Sequence, residues 1–260
     1  MELNKIYEGD CLELMNDIPD NSVHLVLTDL PYNLGYIEWD KMLPIETLWS
    51  QWKRILTDKG TVILTATEPF TSLLVTSQIN LFRFDLIWIK DNNLDFLRAS
   101  VKPIRRHENI LVFSKGTAAS NCDNNLTYNP QNVVHIHEIH KGIAEDRIKD
   151  TYNISRPSTI RPGGVKSRKN YPTTILYGFK KDKELYHPTQ KPVSLFAYLI
   201  KTFSNENDTV LDCCAGSGTT GLACIETNRN FILIEQDPKY VKISEKRIQY
   251  YKNKFVNRLL

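Results

Sequence analysis

The stretch 209-TVLDCCAGSGTTGLACIETNRNFILIE-235 decides the fold. A short β-branched, apolar run leads into the turn Gly216-Ser217-Gly218. A helical candidate, 219-TTGLACIETN-228, follows, and a second apolar run ends at Glu235. Strand, glycine turn, helix and strand make the repeating unit of a parallel α/β sheet. The glycines let a ligand come close to the backbone. The turn is not G-x-G-x-x-G and lacks the lysine of a phosphate-cradling loop, so phosphate binding is not indicated. Glu235 stands about twenty residues beyond the turn, where an acidic side chain grips the two hydroxyls of a ribose. A nucleoside-containing cofactor fits, and a pyrophosphate is not required.

Outward from this unit the same alternation recurs. Apolar runs predict strands over 3–9, 23–29, 61–66, 83–90, 109–114, 209–214 and 230–235. They are nearly continuous rather than strictly alternating, which suits a sheet covered on both faces. Helices are predicted over 44–56, 68–79, 192–203, 219–228 and 238–254; three of them begin with a proline, as first turns tolerate. In the first, Leu48, Trp52, Ile55 and Leu56 form one stripe. The fold class expected is a Rossmann-like, doubly wound α/β domain with a mostly parallel seven-stranded sheet. Residues 116–186 interrupt it, with clusters such as 121-NCDNNLTYNPQN-132 and 155-SRPSTIRPGG-164 and poor periodicity. The organisation expected is a first catalytic part over 1–115, an irregular insert over 116–186 and a second catalytic part over 187–260.

Composition sets bounds. The chain has 260 residues, 41% hydrophobic and 24% charged, ordinary for a globular protein. No apolar run reaches the length of a membrane span, and the N-terminus has no signal-peptide core, so a cytoplasmic protein is expected. Five cysteines, an odd number, do not suggest a disulfide framework. Cys213 and Cys214 are expected in a buried strand. Net charge is +3, but residues 141–185 hold 11 Lys/Arg against 5 Asp/Glu, leaving −3 for the rest. A basic segment on a near-neutral body suits a polyanionic partner, and a solvated loop accounts for it as well.

Ligands of open α/β sheets bind beyond the carboxyl ends of the strands. Four predicted strand ends carry an acid: Asp10, Asp29, Asp212 and Glu235. One such acid is commonly a turn or helix cap; four together are harder to explain that way. Asp29 leads into 29-DLPY-32. Its carboxylate accepts hydrogen bonds. Pro31 restricts Leu30 to an extended conformation and so aims the Leu30 carbonyl. Tyr32 adds a flat face. Two acceptors and a ring suit a planar group bearing an NH2, such as an adenine or cytosine flipped out of a duplex.

These residues carry a resemblance. Asp-Leu-Pro-Tyr at 29–32 resembles the D-P-P-Y motif of amino-directed DNA methyltransferases, 212-DCCAGSGTT-220 their D-x-F-x-G-S-G-T motif, and 187-HPTQKP-192 the segment before it. The order, amine motif before cofactor motif with a variable region between, is the circularly permuted order of the β group. The resemblance covers nearly the whole chain outside 116–186. It implies S-adenosyl-L-methionine as cofactor and double-stranded DNA with a short recognition sequence as partner, and it is compatible with a homodimer. It assigns catalysis to Asp29, Leu30, Pro31 and Tyr32. It assigns the methionine part of the cofactor to Asp212, Gly216, Ser217, Gly218, Thr219 and Thr220, helped by Thr189 and Lys191. Glu235 would take the ribose, with Asp10 and Cys11 near the adenine. Residues 116–186 would recognise the target. Asp at 29 leans towards adenine N6 over cytosine N4. Leu30 stands where the family has its first proline, and Cys214 where it has phenylalanine; neither change removes a polar catalytic group. The alternatives are cytosine-N4 methylation, an inactive DNA-binding relic, and methylation of RNA or protein.

Other features are weaker. His135, His137 and His140 could suggest a metal, but no cysteine lies nearby and methyl transfer needs none, so no metal is expected. Trp39 and Asp40 lie beyond the amine motif on a predicted loop, and Phe70 is expected in the core. Arg105, Arg106 and His107 are expected on a loop before a strand, suited to DNA backbone contact or to solvent.

Overall fold

A computed structural model describes residues 1–32, 42–94, 99–119, 122–131, 134–136, 167–169, 171–187 and 189–259. The chain divides into two compact units, residues 1–129 with 173–260, and residues 130–172.

In the larger unit, β1 (Lys5–Glu8), β2 (Val23–Thr28), β3 (Leu56–Ala66), β4 (Phe82–Leu94), β5 (Arg105–Ser114), β8 (Ile175–Leu176), β9 (Thr209–Asp212) and β10 (Asn230–Glu235) form one sheet. Its order is β1-β10-β9-β2-β3-β5-β4-β8. Neighbours are parallel except where β5 meets β3 and β4. The seven expected strands are all present, and the two-residue β8 adds an eighth. Both faces are apolar. Leu25, Leu27, Ile63, Ile110, Val210 and Leu233 pack under α4 (Val193–Phe203), α5 (Thr219–Thr227) and α6 (Pro238–Leu259). Val26, Val62, Leu64, Leu111, Leu211 and Ile232 pack under α1 (Cys11–Leu14), α2 (Ile45–Ile55) and α3 (Phe70–Ser77). Alternate side chains of one strand feed opposite cores, which is why the runs read as continuously apolar.

Several boundaries differ from expectation. β3 begins at Leu56, where the helical stripe of α2 was expected to end; its buried side chains are Leu48, Trp49, Trp52 and Ile55. β5 begins at Arg105, so Arg105, Arg106 and His107 lie in a strand and not on a loop; Arg106 and His107 are exposed. β4 likewise runs on to Leu94, paired with Arg105. Apolar runs mark only the parts of a strand that helices cover, and these ends are polar. β9 stops at Asp212, so Cys213 and Cys214 follow the strand and do not lie in it. The short α1, capped by Asp10, had no periodic signal.

The smaller unit contains β6 (Val134–Ile136) and β7 (Ser167–Lys169), an antiparallel pair. His135 lies on β6; His137 and His140 fall outside the described residues, as do Trp39 and Asp40. Residues 116–129 and 173–186 count with the larger unit.

Candidate active site

The parallel strands β1, β10, β9, β2 and β3 all present their carboxyl ends on one side of the sheet, so the strand-end acids share an edge.

Asp29 follows β2. Its Oδ1 accepts from Tyr32 Oη at 2.8 Å and from Thr65 Oγ1 on β3. Its Oδ2 accepts from Lys191 Nζ. Lys191 is 5% exposed and also lies 3.7 Å from Glu108 Oε2 on β5, whose Oε1 is paired with Lys90. Burial pulls Lys191 down, but the Asp29 and Glu108 carboxylates outweigh it and leave it above an ordinary lysine. Burial pushes the Tyr32 hydroxyl far up, helped by Asp29 and Glu108; this phenol stays a donor. Burial pulls Lys90 down, partly opposed by Glu108. The Tyr32 ring lies 5.5 Å from that of Phe70, which is buried at the start of α3. Leu30 is 4% exposed and packs in the core beneath α1 to α3. The side chain that replaces proline thus anchors the turn through packing.

A carboxylate offers about four acceptor sites. Tyr32, Thr65 and Lys191 take three of those of Asp29, which leaves room for one further donor.

The second group of side chains gathers after β9 and β10. Asp212 is 3% exposed. Its Oδ1 accepts from the Cys214 N–H at 3.1 Å and its Oδ2 from Thr220 Oγ1. Burial pushes it up to about 6, against the hydrogen bonds from Thr220 and Thr28. Glu235 accepts from the Gly216 N–H at 2.7 Å and the Asp237 N–H at 2.9 Å, and burial raises it too. Gly216 has φ +50°, and a side chain there would meet only His187 Cδ2, at 3.9 Å; the backbone is open to a ligand. Gly218 has φ +78° and faces Ser244 at 2.9 Å, so that glycine is required by packing as well as by conformation. Thr219 and Thr220 open α5, both buried. Ser217 donates to Gln190 Oε1 at 3.1 Å and accepts from Arg247. Thr189 Oγ1 lies 2.9 Å from His187 Nδ1. The ring of His187 is 4.5 Å from that of Tyr240, and burial lowers its pKa. One oxygen of Asp10 is used as the cap of α1, accepting from Leu12 N–H at 2.7 Å, and Cys11 is buried behind it.

The structure thus brings Asp29 and Tyr32 together and gathers Asp212, Gly216, Thr220 and Glu235. Lys191, expected to help hold the cofactor, is paired with Asp29. Thr65, Lys90, Glu108, Gln190 and Arg247 were not singled out from sequence. A glutamate just before the apolar run 110-ILVF-113 was the one available signal.

Residues 23–246 match the family described as DNA methylase, directed at N6 and N4 amines. The chain belongs to this DNA methylase family. It is 30% identical over 261 residues to the DNA adenine methyltransferase YhdJ of Escherichia coli (strain K12), covering 95% of this chain and 83% of that protein. Its fold resembles the crystal structure of the M1.HpyAVI–SAM complex, with TM-score 0.61, 24% identity, and 94% of this chain and 98% of that one covered. It also resembles the PvuII DNA methyltransferase (cytosine-N4-specific), with TM-score 0.64, 18% identity, and 97% and 92% covered. Within the methylase, no described helix is long and apolar enough to cross a membrane.

Proposed function

We propose that this methylase transfers a methyl group from S-adenosyl-L-methionine to the N6 amine of a flipped-out adenine in double-stranded DNA. The observation that carries the reading is Asp29, held at the tip of β2 by Tyr32, Thr65 and Lys191 with one acceptor position left over. The open backbone at Gly216 and the Glu235 carboxylate on the next strand fit the cofactor. Asp212, Gly216–Thr220 and Glu235 would hold it, with Asp10 and Cys11 at its adenine end and Thr189 beside the turn. When bound, it supplies an electrophilic sulfonium methyl.

The rest is the work of the chain. Asp29 accepts one amine hydrogen and the Leu30 carbonyl the other, with Pro31 fixing the direction of that carbonyl. This draws the nitrogen towards a tetrahedral shape and frees its lone pair. Tyr32 offers its face to the base. Lys191 holds the Asp29 carboxylate in an ion pair, and that carboxylate stabilises the positive charge that grows on nitrogen; the extra proton leaves to solvent after transfer. Catalysis is positioning and electrostatic stabilisation, without a cysteine nucleophile. Residues 116–186, with their basic excess, contact DNA phosphates and base edges. The preference for adenine rests on the carboxylate at 29 and on the likeness to an adenine methyltransferase over 95% of the chain. A DNA substrate agrees with the cytoplasmic location expected from sequence. The homodimer belongs to the same reading, and sedimentation of the free and DNA-bound protein tests it.

The deciding experiment incubates unmethylated DNA with methyl-labelled cofactor and digests it to nucleosides. N6-methyladenine is expected. N4-methylcytosine would move the reading to cytosine, and label only in RNA or protein would overturn it.

A further inference from the structure

Three thiols converge where methyl transfer uses none. Cys11 opens α1 directly after β1, and Cys213 and Cys214 follow β9. Their sulfur atoms all lie within 4.8 Å of one another. Cys11 and Cys213 are 6% and 2% exposed, Cys214 is half-buried, and all three are free thiols. The backbone around them is fixed. Asp10 caps α1, the Gly9 N–H donates to the Glu235 carbonyl at 3.0 Å, and the Cys214 N–H donates to Asp212. The strands β1 and β9 flank β10, so the thiols meet across the end of the strand that carries Glu235.

Soft thiolates select soft or borderline cations over hard ones. Around a tetrahedral zinc with sulfur at about 2.3 Å, three thiolates stand about 3.8 Å apart. The observed cluster needs only a small inward adjustment to reach that. Its half-buried member, Cys214, is the most accessible of the three.

We propose that Cys11, Cys213 and Cys214 form a three-thiolate site for a soft divalent cation of the Zn2+ or Cd2+ kind, at the cofactor end of the sheet. Each thiol gives its proton to solvent as its metal–sulfur bond forms, and no redox change occurs. An occupying ion ties the segments after β1 and β9 across β10. The site differs from the metal-free chemistry expected from sequence; its ligands are not the amine-site residues, and of them Cys11 also stands at the adenine end of the proposed cofactor site.

The test uses the full chain, reduced and stripped with a chelator, titrated with Cd2+ while the ultraviolet sulfur-to-metal charge-transfer band is followed. One Cd2+ per chain is expected, saturating a three-thiolate band. Cys214→Ser, the mildest change to packing, should lower that band by about one third and weaken binding about tenfold or more, in line with the cost of disturbing a metal site. Cys11→Ser should do the same, with circular dichroism confirming the fold. Cys122→Ser and Cys224→Ser, at positions outside the cluster, should leave the titration unchanged. No stoichiometric band, or a band that survives Cys11→Ser and Cys214→Ser unaltered, overturns the proposal.

Discussion

Two carboxylates at neighbouring strand ends have been given opposite surroundings. Asp29 has a fixed cation: Lys191, itself buried and steadied by Glu108. Asp212, one strand away, has hydroxyls and a backbone N–H but no lysine or arginine within ion-pair distance among the described residues. Burial pushes it up to about 6, and among the described residues Glu235 likewise accepts only from backbone N–H groups. A buried carboxylate without a cation is costly unless something positive arrives. The contrast teaches that the proposed amine end already carries its own cation, while the proposed cofactor end has none and would be completed by a cationic ligand.

The hardest blow to this contrast is Asp29→Ala. It removes the acceptor at the reacting nitrogen, and removal of one such group costs about 10²–10³ in rate. We expect DNA methylation to fall by at least that much, with cofactor binding, measured by calorimetry, changing only a few-fold. A fully active variant would sink the account of the amine site.

Lys191→Met comes next and separates the two ends directly. If Lys191 serves Asp29, as its position indicates, kcat falls about 10²-fold through misplacement of the acceptor, while cofactor affinity holds. A lysine that serves the cofactor would give the reverse split. Lys90 remains to pair with Glu108, so a thermal melt should show a folded protein.

This pair also marks where sequence reading stops. The central strands were legible because they are buried on both faces, and the acids at their tips because an apolar run ends at each. The sequence therefore places Asp29, Asp212 and Glu235 at one edge of the sheet. It does not place their partners. Asp29 and Lys191 are 162 residues apart in sequence, Thr65 and Glu108 lie on other strands, and such pairings leave no local pattern. The polar ends of β4 and β5 and the four-residue α1 were missed because pattern reading needs either apolar continuity or several helical turns.

A pH titration sharpens the comparison at smaller amplitude. Asp212, raised by burial, is neutral below about 6 and ionised above it. Cofactor affinity should weaken as pH falls through 6, by up to about tenfold per unit. The stability of the cofactor-free protein should move the other way. A raised carboxyl favours the native state at low pH, and that contribution fades as pH rises from the ordinary aspartate range to about 6. Asp212→Asn should flatten both profiles. Opposite slopes in the two measurements are the signature; parallel slopes would mean that another group titrates.

The smallest effects come from two glycines of one turn. Gly218→Ala must fit a Cβ 2.9 Å from Ser244 at φ +78°. Overpacking alone costs about 1–3 kcal/mol, so the melting temperature should drop while the cofactor surface is only indirectly disturbed. Gly216→Ala meets nothing closer than His187 at 3.9 Å, at φ +50°, so its cost is the left-handed strain of about 1–2 kcal/mol. Its methyl group projects into space left open at the backbone, however, and Gly216 is also the N–H that holds Glu235. The larger loss of cofactor affinity is therefore expected from the variant with the smaller loss of stability. Equal losses in both would show that the turn is only a structural corner, and that the openness at Gly216 has no ligand to serve.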